Sequence, residues 1–171
     1  MPDTTPSSFS NAQRILHWAI AILIGTQFLT GQFFDPLHAI EPAGGALPEG
    51  GPPLPILVHV GVGVSILVLA VTRLLVRIVK GAPASPPEEP HIFRLAAAGG
   101  HIALYALMFL MPITGLIAFF GHAQVAGWLH GGPLKLLLLA LIAVHFCAVL
   151  VHQFIWKTNV LARMTWGSRV G

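Results

Sequence analysis

Five histidines, His17, His59, His101, His145 and His152, fall within or beside long stretches that contain no Lys, Arg, Asp or Glu. A neutral imidazole is the commonest side-chain metal ligand. An ionisable side chain inside a membrane span is costly and marks a functional position by default. His145 and His152 are seven residues apart, so on one helix they project from nearly one face, about 10 Å apart. The basic residues that flank the uncharged stretches serve as a ruler for depth. His17 is three residues from Arg14, His152 five from Lys157, His101 seven from Arg94, His145 twelve from Lys157 and His59 fourteen from Arg73. At helical rise these become depths of roughly 5, 8, 10, 18 and 21 Å. The ruler gives two levels: His17 and His152 with His101 near one face, and His59 with His145 deeper.

Two imidazoles at one depth on facing helices are what a bis-histidine haem requires, and two levels would hold two haems stacked across a bundle. The last helix serves both levels, while His17 and His59 complete the pairs. A single membrane histidine often does no more than hydrogen-bond a neighbouring helix, but depth-matched pairs ask for more. Zinc competes, yet Asp, Glu and Cys ligands are missing nearby and each level offers only two or three histidines. Neutral imidazole pairs in an apolar bundle suit haem better. Cys147 is the only cysteine, which excludes a covalent Cys-x-x-Cys-His attachment and an intramolecular disulfide. Three roles stay open for His101: a ligand in place of His17, a hydrogen-bond partner of a propionate or quinone, and plain packing. His38, His91, His122 and His130 are expected in loops or at interfaces.

Arg77 returns to almost the face of His59, and Arg73 lies within about 40° of it. Both guanidinium groups are candidates to pair with haem propionates. The alternative is a stop-transfer anchor that snorkels to the interface. Gly61 and Gly63, close to His59, would admit a porphyrin or a close helix. Trp18, Trp128 and Trp156 fit an interfacial belt.

These side chains need helices to carry them. The uncharged runs are Leu-, Ala-, Ile- and Val-rich without strict alternation, which argues for helices rather than strands. Helices are expected over 13–34, 54–80, 92–120 and 134–157 in a single domain. Residues 35–55 and 81–90 are rich in Pro and Gly and cannot continue a helix. The third uncharged run is too long for one span, and Gly121, Gly127 and Gly131-Gly132-Pro133 are the expected break. The start of the chain does not read as a secretory signal, so the first helix is expected to be retained.

Composition fits this reading. The chain of 171 residues is 55% hydrophobic and 9% charged, with a mean hydropathy of +0.79. A soluble domain carries about 25% charge, so a soluble enzyme, a disordered chain and a nucleic-acid binder are excluded. The fold class expected is an all-α integral membrane protein, a bundle of four transmembrane helices binding two haem b groups. Eight of the nine Lys/Arg fall on one side of four such spans; the other side has Lys135 with Asp35, Glu41 and Glu49. By the positive-inside rule both termini are cytoplasmic, in a bacterial inner membrane.

Several segments together carry a family resemblance: Gln13-Arg14-Ile15-Leu16-His17-Trp18, His59-Val60-Gly61-Val62-Gly63 and Thr72-Arg73-Leu74-Leu75-Val76-Arg77. They continue with Gly100-His101, Met111-Pro112-Ile113-Thr114-Gly115, and His145 through His152 to Trp156-Lys157-Thr158-Asn159. The chain resembles the prokaryotic cytochrome b561 family of four-helix, di-haem membrane cytochromes over nearly its whole length. The resemblance implies that His17 and His152 bind one haem b, and His59 and His145 the other. It also implies electron transfer between the quinone pool, with ubiquinone as substrate, and a redox partner such as a dehydrogenase or a soluble redox protein. Some relatives resemble superoxide:quinone oxidoreductases. That activity stands second here, because the acidic outer loops would not steer an anion inward. Trp156, Lys157 and His101 mark the expected neighbourhood of a quinone.

Overall fold

The computed structural model describes residues 8–32 and 51–165. His38, the outer acids Asp35, Glu41 and Glu49, and Arg169 lie outside the described residues. The described residues are helical, with no strand among them.

Helix α1 spans Asn11–Gly31 and opens with a capping box. The Ser10 hydroxyl accepts from the Gln13 N–H, and the Gln13 side chain accepts from the Ser10 N–H. Helix α2, Leu54–Lys80, begins behind Pro53 with Pro55 in its first turn and stops at Gly81, which has φ 69°. Helix α3, His91–Gly121, continues through Pro112 and ends at His122 in the left-handed conformation. Helix α4, Gln124–Ile155, is 32 residues long. A short helix α5, Val160–Met164, follows a turn in which Lys157 and Asn159 have positive φ.

The break expected at Gly127 and Gly131-Gly132-Pro133 is not there; α4 starts ten residues before the expected position 134. Glycine is tolerated in membrane helices because few other partners compete for the backbone in hydrocarbon. Pro133 is accommodated by a π turn over His130–Leu134. The wider turn relieves the clash between the proline ring and the preceding carbonyls. A second π turn, Val151–Ile155, ends the helix and contains His152.

Helices α2, α3 and α4 are each long and apolar enough to cross a bilayer. Over its described residues α1 falls outside that group, since its 21 residues include His17, Gln27 and two threonines. Large apolar side chains point outward along all four helices, among them Ile22, Val68, Ile117 and Phe146. The interior is narrow, with Ile20, Ile56, Ile66, Ala70, Leu107 and Leu138 buried. An outer surface of this kind needs hydrocarbon rather than water as its solvent. Neighbours in sequence pack together, α1 on α2, α2 on α3 and α3 on α4. Extensive backbone contact joins neither α1 nor α2 to α4. The histidines face each other across that separation.

The basic end of the bundle is tied by hydrogen bonds between segments. Gln13 donates to the Gly81 carbonyl at 2.8 Å, and Arg163 to the Ala84 carbonyl at 2.8 Å. Arg14 donates to the Thr165 carbonyl at 3.1 Å, and the Trp18 indole to the Met164 carbonyl at 3.0 Å. The chain after α4 therefore doubles back along the start of α1.

Candidate haem-binding site

At the end of the bundle away from the basic residues, His59 of α2 faces His130 of α4. Their ring centres are 6.1 Å apart. The His130 Nδ1–H donates to the Met111 carbonyl at 2.8 Å, since a carbonyl can only accept. That places the lone pair on Nε2. At His59, Nδ1 lies 3.1 Å from the Thr30 hydroxyl oxygen. Thr30 commits its own proton to the Thr26 carbonyl at 2.9 Å, so its oxygen accepts from the His59 Nδ1–H. In both imidazoles Nδ1 is then the protonated nitrogen and Nε2 the one that carries the lone pair.

Nearer the basic end, His17 of α1 faces His145 of α4 with ring centres 6.2 Å apart. His101 of α3 packs against the other side of the group, 5.6 Å from His145. Arg73 is buried and donates to the Gln13 carbonyl at 2.6 Å. It lies within Coulomb range of His17, His101 and His145, and Arg77 within range of His101. Among the described residues Arg73 has no carboxylate partner. A buried guanidinium in an apolar bundle calls for an anion.

Two imidazoles that share one metal from opposite sides, at about 2 Å per bond, stand with ring centres roughly 6 Å apart. Both pairs have that separation. Helical rise also brings the two pairs into register. On α1, His17 and Thr30, which touches His59, are thirteen residues or roughly 20 Å apart. On α4, His130 and His145 are fifteen residues or roughly 22 Å apart.

His152 is placed elsewhere. It lies about 10 Å further along α4 than His145. Its Nδ1 is 2.8 Å from the Thr158 hydroxyl and its Nε2 is 3.5 Å from a carboxylate oxygen of Glu89. Its ring packs edge-on against Trp156 at 4.7 Å. Both nitrogens face protein groups, and Glu89 and His152 are each nearly buried. Sequence spacing pairs His17 with His152 and His59 with His145; the structure instead sets His17 against His145 and His59 against His130. Depth counted from the flanking bases holds only where those bases are coplanar. His17 is three residues from Arg14 and His145 twelve from Lys157, so the two are level if Lys157 lies nine residues, roughly 13 Å, beyond Arg14. The doubling back of α5 onto Trp18 allows that offset. Arg73 is likewise no interface marker, being bonded inside the bundle to Gln13.

His130, expected from the sequence in a loop or at an interface, is the residue that the structure sets against His59. The Gly-Gly-Pro that follows His130 reads as a loop, which places it outside the expected fourth helix. A usable signal was the length of the uncharged run, which leaves room for another turn of helix before Gly131.

A family model for prokaryotic cytochrome b561 matches residues 8–167. Cytochrome b562 of Cereibacter sphaeroides is 32% identical over 94% of this chain and 97% of its own length. Cytochrome b561 homolog 2 of Escherichia coli is 28% identical over 94% of this chain and 92% of its own. A probable superoxide oxidase of Yersinia pestis is 31% identical over 91% of this chain and 94% of its own. The chain belongs to the prokaryotic cytochrome b561 family.

Proposed function

We propose that this membrane cytochrome binds two haem b groups, one between His17 and His145 and the other between His59 and His130, and carries electrons between quinone and a redox partner. The observation that carries the reading is the pair of imidazole couples, each about 6 Å between ring centres and each drawn from two helices without extensive backbone contact. Among the described residues no group of three or more His, Cys, Asp or Glu is arranged to hold a metal ion. Couples of two suit an iron whose other ligands come from a porphyrin, and suit zinc poorly. Haem supplies reversible one-electron chemistry that no side chain here offers.

The protein's own residues bind and tune. His17, His145, His59 and His130 supply the axial nitrogens. Arg73, with Arg77 nearby, meets the propionates at the basic end and satisfies its unpaired charge there. His101 stands beside the basic-end couple as a hydrogen-bond partner for a propionate or a quinone. Helix α1 completes a bundle of four spans, its Thr26 and Thr30 hydroxyls bonded to their own helix as hydrocarbon requires. The excess of Lys and Arg at one end orients that end, and both termini, towards the cytoplasm of a bacterium.

A second reading, oxidation of superoxide coupled to ubiquinone reduction, is favoured by the likeness to the probable superoxide oxidase and by Lys135. That lysine is exposed on α4 five residues after His130. A cation beside the far-end couple would attract an anion locally. The test of the main reading is the absorption spectrum and haem content of the purified protein. Reduced b-type bands with two haems per chain are expected, and a folded, colourless protein would overturn it. Superoxide generated in a pulse, with quinone present, separates the second reading: an unaccelerated decay removes it.

A further inference from the structure

The far-end histidines are held by two matching pieces of helix. His59 rests on α1 at positions 27, 30 and 31. Gln27 donates to the His59 carbonyl at 2.8 Å, the Thr30 hydroxyl meets Nδ1 at 3.1 Å, and Gly31 lies under the ring. His130 rests on α3 at positions 111, 114 and 115. The Met111 carbonyl accepts from Nδ1 at 2.8 Å, the Thr114 hydroxyl lies 3.4 Å from the same nitrogen, and Gly115 lies under the ring. Both sets use the i, i+3, i+4 spacing that lines up one helix face. Both end in Thr-Gly.

The glycines are there for space. A Cβ on Gly31 would meet His59 Cε1 at 3.4 Å, and one on Gly115 would meet His130 Cε1 at 2.9 Å. Each threonine spends its proton on its own helix: Thr30 donates to the Thr26 carbonyl and Thr114 to the Leu110 carbonyl at 2.7 Å. Their oxygens are therefore oriented as acceptors towards Nδ1. His17 and His145 have no such bond at either ring nitrogen among the described residues.

We infer that Thr30-Gly31 and Thr114-Gly115 are paired positioning elements that lock His59 and His130 in the Nδ1–H form, aim both Nε2 atoms at one iron and lower its potential. The inference rests on the reading that these two histidines ligate haem. Accepting a hydrogen bond from Nδ1–H makes the imidazole a stronger donor, which favours the oxidised metal. Loss of such partners typically weakens metal binding on the order of 10- to 100-fold.

The experiment uses the full-length, haem-loaded protein in detergent and compares Thr30→Val/Thr114→Val with Thr30→Ser/Thr114→Ser. Potentiometric titration and the rate of haem transfer to apomyoglobin are the readouts. In the valine variant one of two redox steps moves to higher potential and one haem leaves roughly 10- to 100-fold faster, while the other step and haem stay as they were. The unmoved centre reports that the protein is folded. The serine variant keeps both values near those of the parent. Equal shifts of both centres, no shift, or a serine variant as altered as the valine one would overturn the inference. A parent protein without haem would instead overturn the proposed function. Should the valine variant not accumulate, Thr30→Val alone is measured against the same outcomes.

Discussion

The two histidine couples have nearly the same ring separation and opposite surroundings. At the far end, hydrogen bonds and glycine clefts fix both rings from α1 and α3. At the basic end, His17 and His145 are set by crowding, with His101 and the buried Arg73 around them. Hydrogen bonds to Nδ1–H lower a haem potential, whereas a guanidinium nearby favours the reduced, less positive iron. The contrast teaches that, with the proposed haems bound, the groups around two like histidine pairs would set their potentials apart.

The largest effects break the couples outright. His145→Ala should leave one haem per chain and remove the higher-potential step, whereas His152→Ala should keep two haems; loss of one haem from His152→Ala would restore the pairing read from spacing. Arg73→Met should cost the bond to the Gln13 carbonyl, about 1.5–3 kcal/mol for a charged donor. It should also bring the two redox steps closer together by lowering the upper one; steps that stay apart would remove Arg73 from the comparison. Gly115→Ala forces a Cβ to within 2.9 Å of the His130 ring. Overpacking of this kind costs about 1–3 kcal/mol, and thermal unfolding followed at the far-end Soret contribution should register it first. Trp18→Phe is the mildest. It removes the bond to the Met164 carbonyl, worth about 0.5–1.5 kcal/mol. Limited proteolysis should cut after α4 sooner, with both redox steps unmoved.

Much of this was legible in the residues. Long uncharged runs announce membrane helices because hydrocarbon admits little else. The segments around His17, His59 and His145 carry the family resemblance. The partner of each histidine was harder to read, for three physical reasons. Flanking bases act as a ruler only if they share a plane, and the return of α5 to Trp18 leaves room for Lys157 to lie beyond Arg14. Arg73 looks like an interface residue by charge, yet it is buried on Gln13. Gly131-Gly132-Pro133 follows the rules for a loop in water, but in a membrane helix a π turn absorbs the proline, and His130 stays in register with His59. His152, by contrast, has the spacing of a ligand and the surroundings of a tether between α4 and the segment before α3.

The pairing of His59 with His130 is put to the test by the haem-to-protein ratio of His130→Ala, measured as the pyridine haemochrome beside the parent protein. Two haems are expected in the parent and one in the variant, with the remaining haem showing the higher potential. A variant that still holds two haems would contradict the pairing.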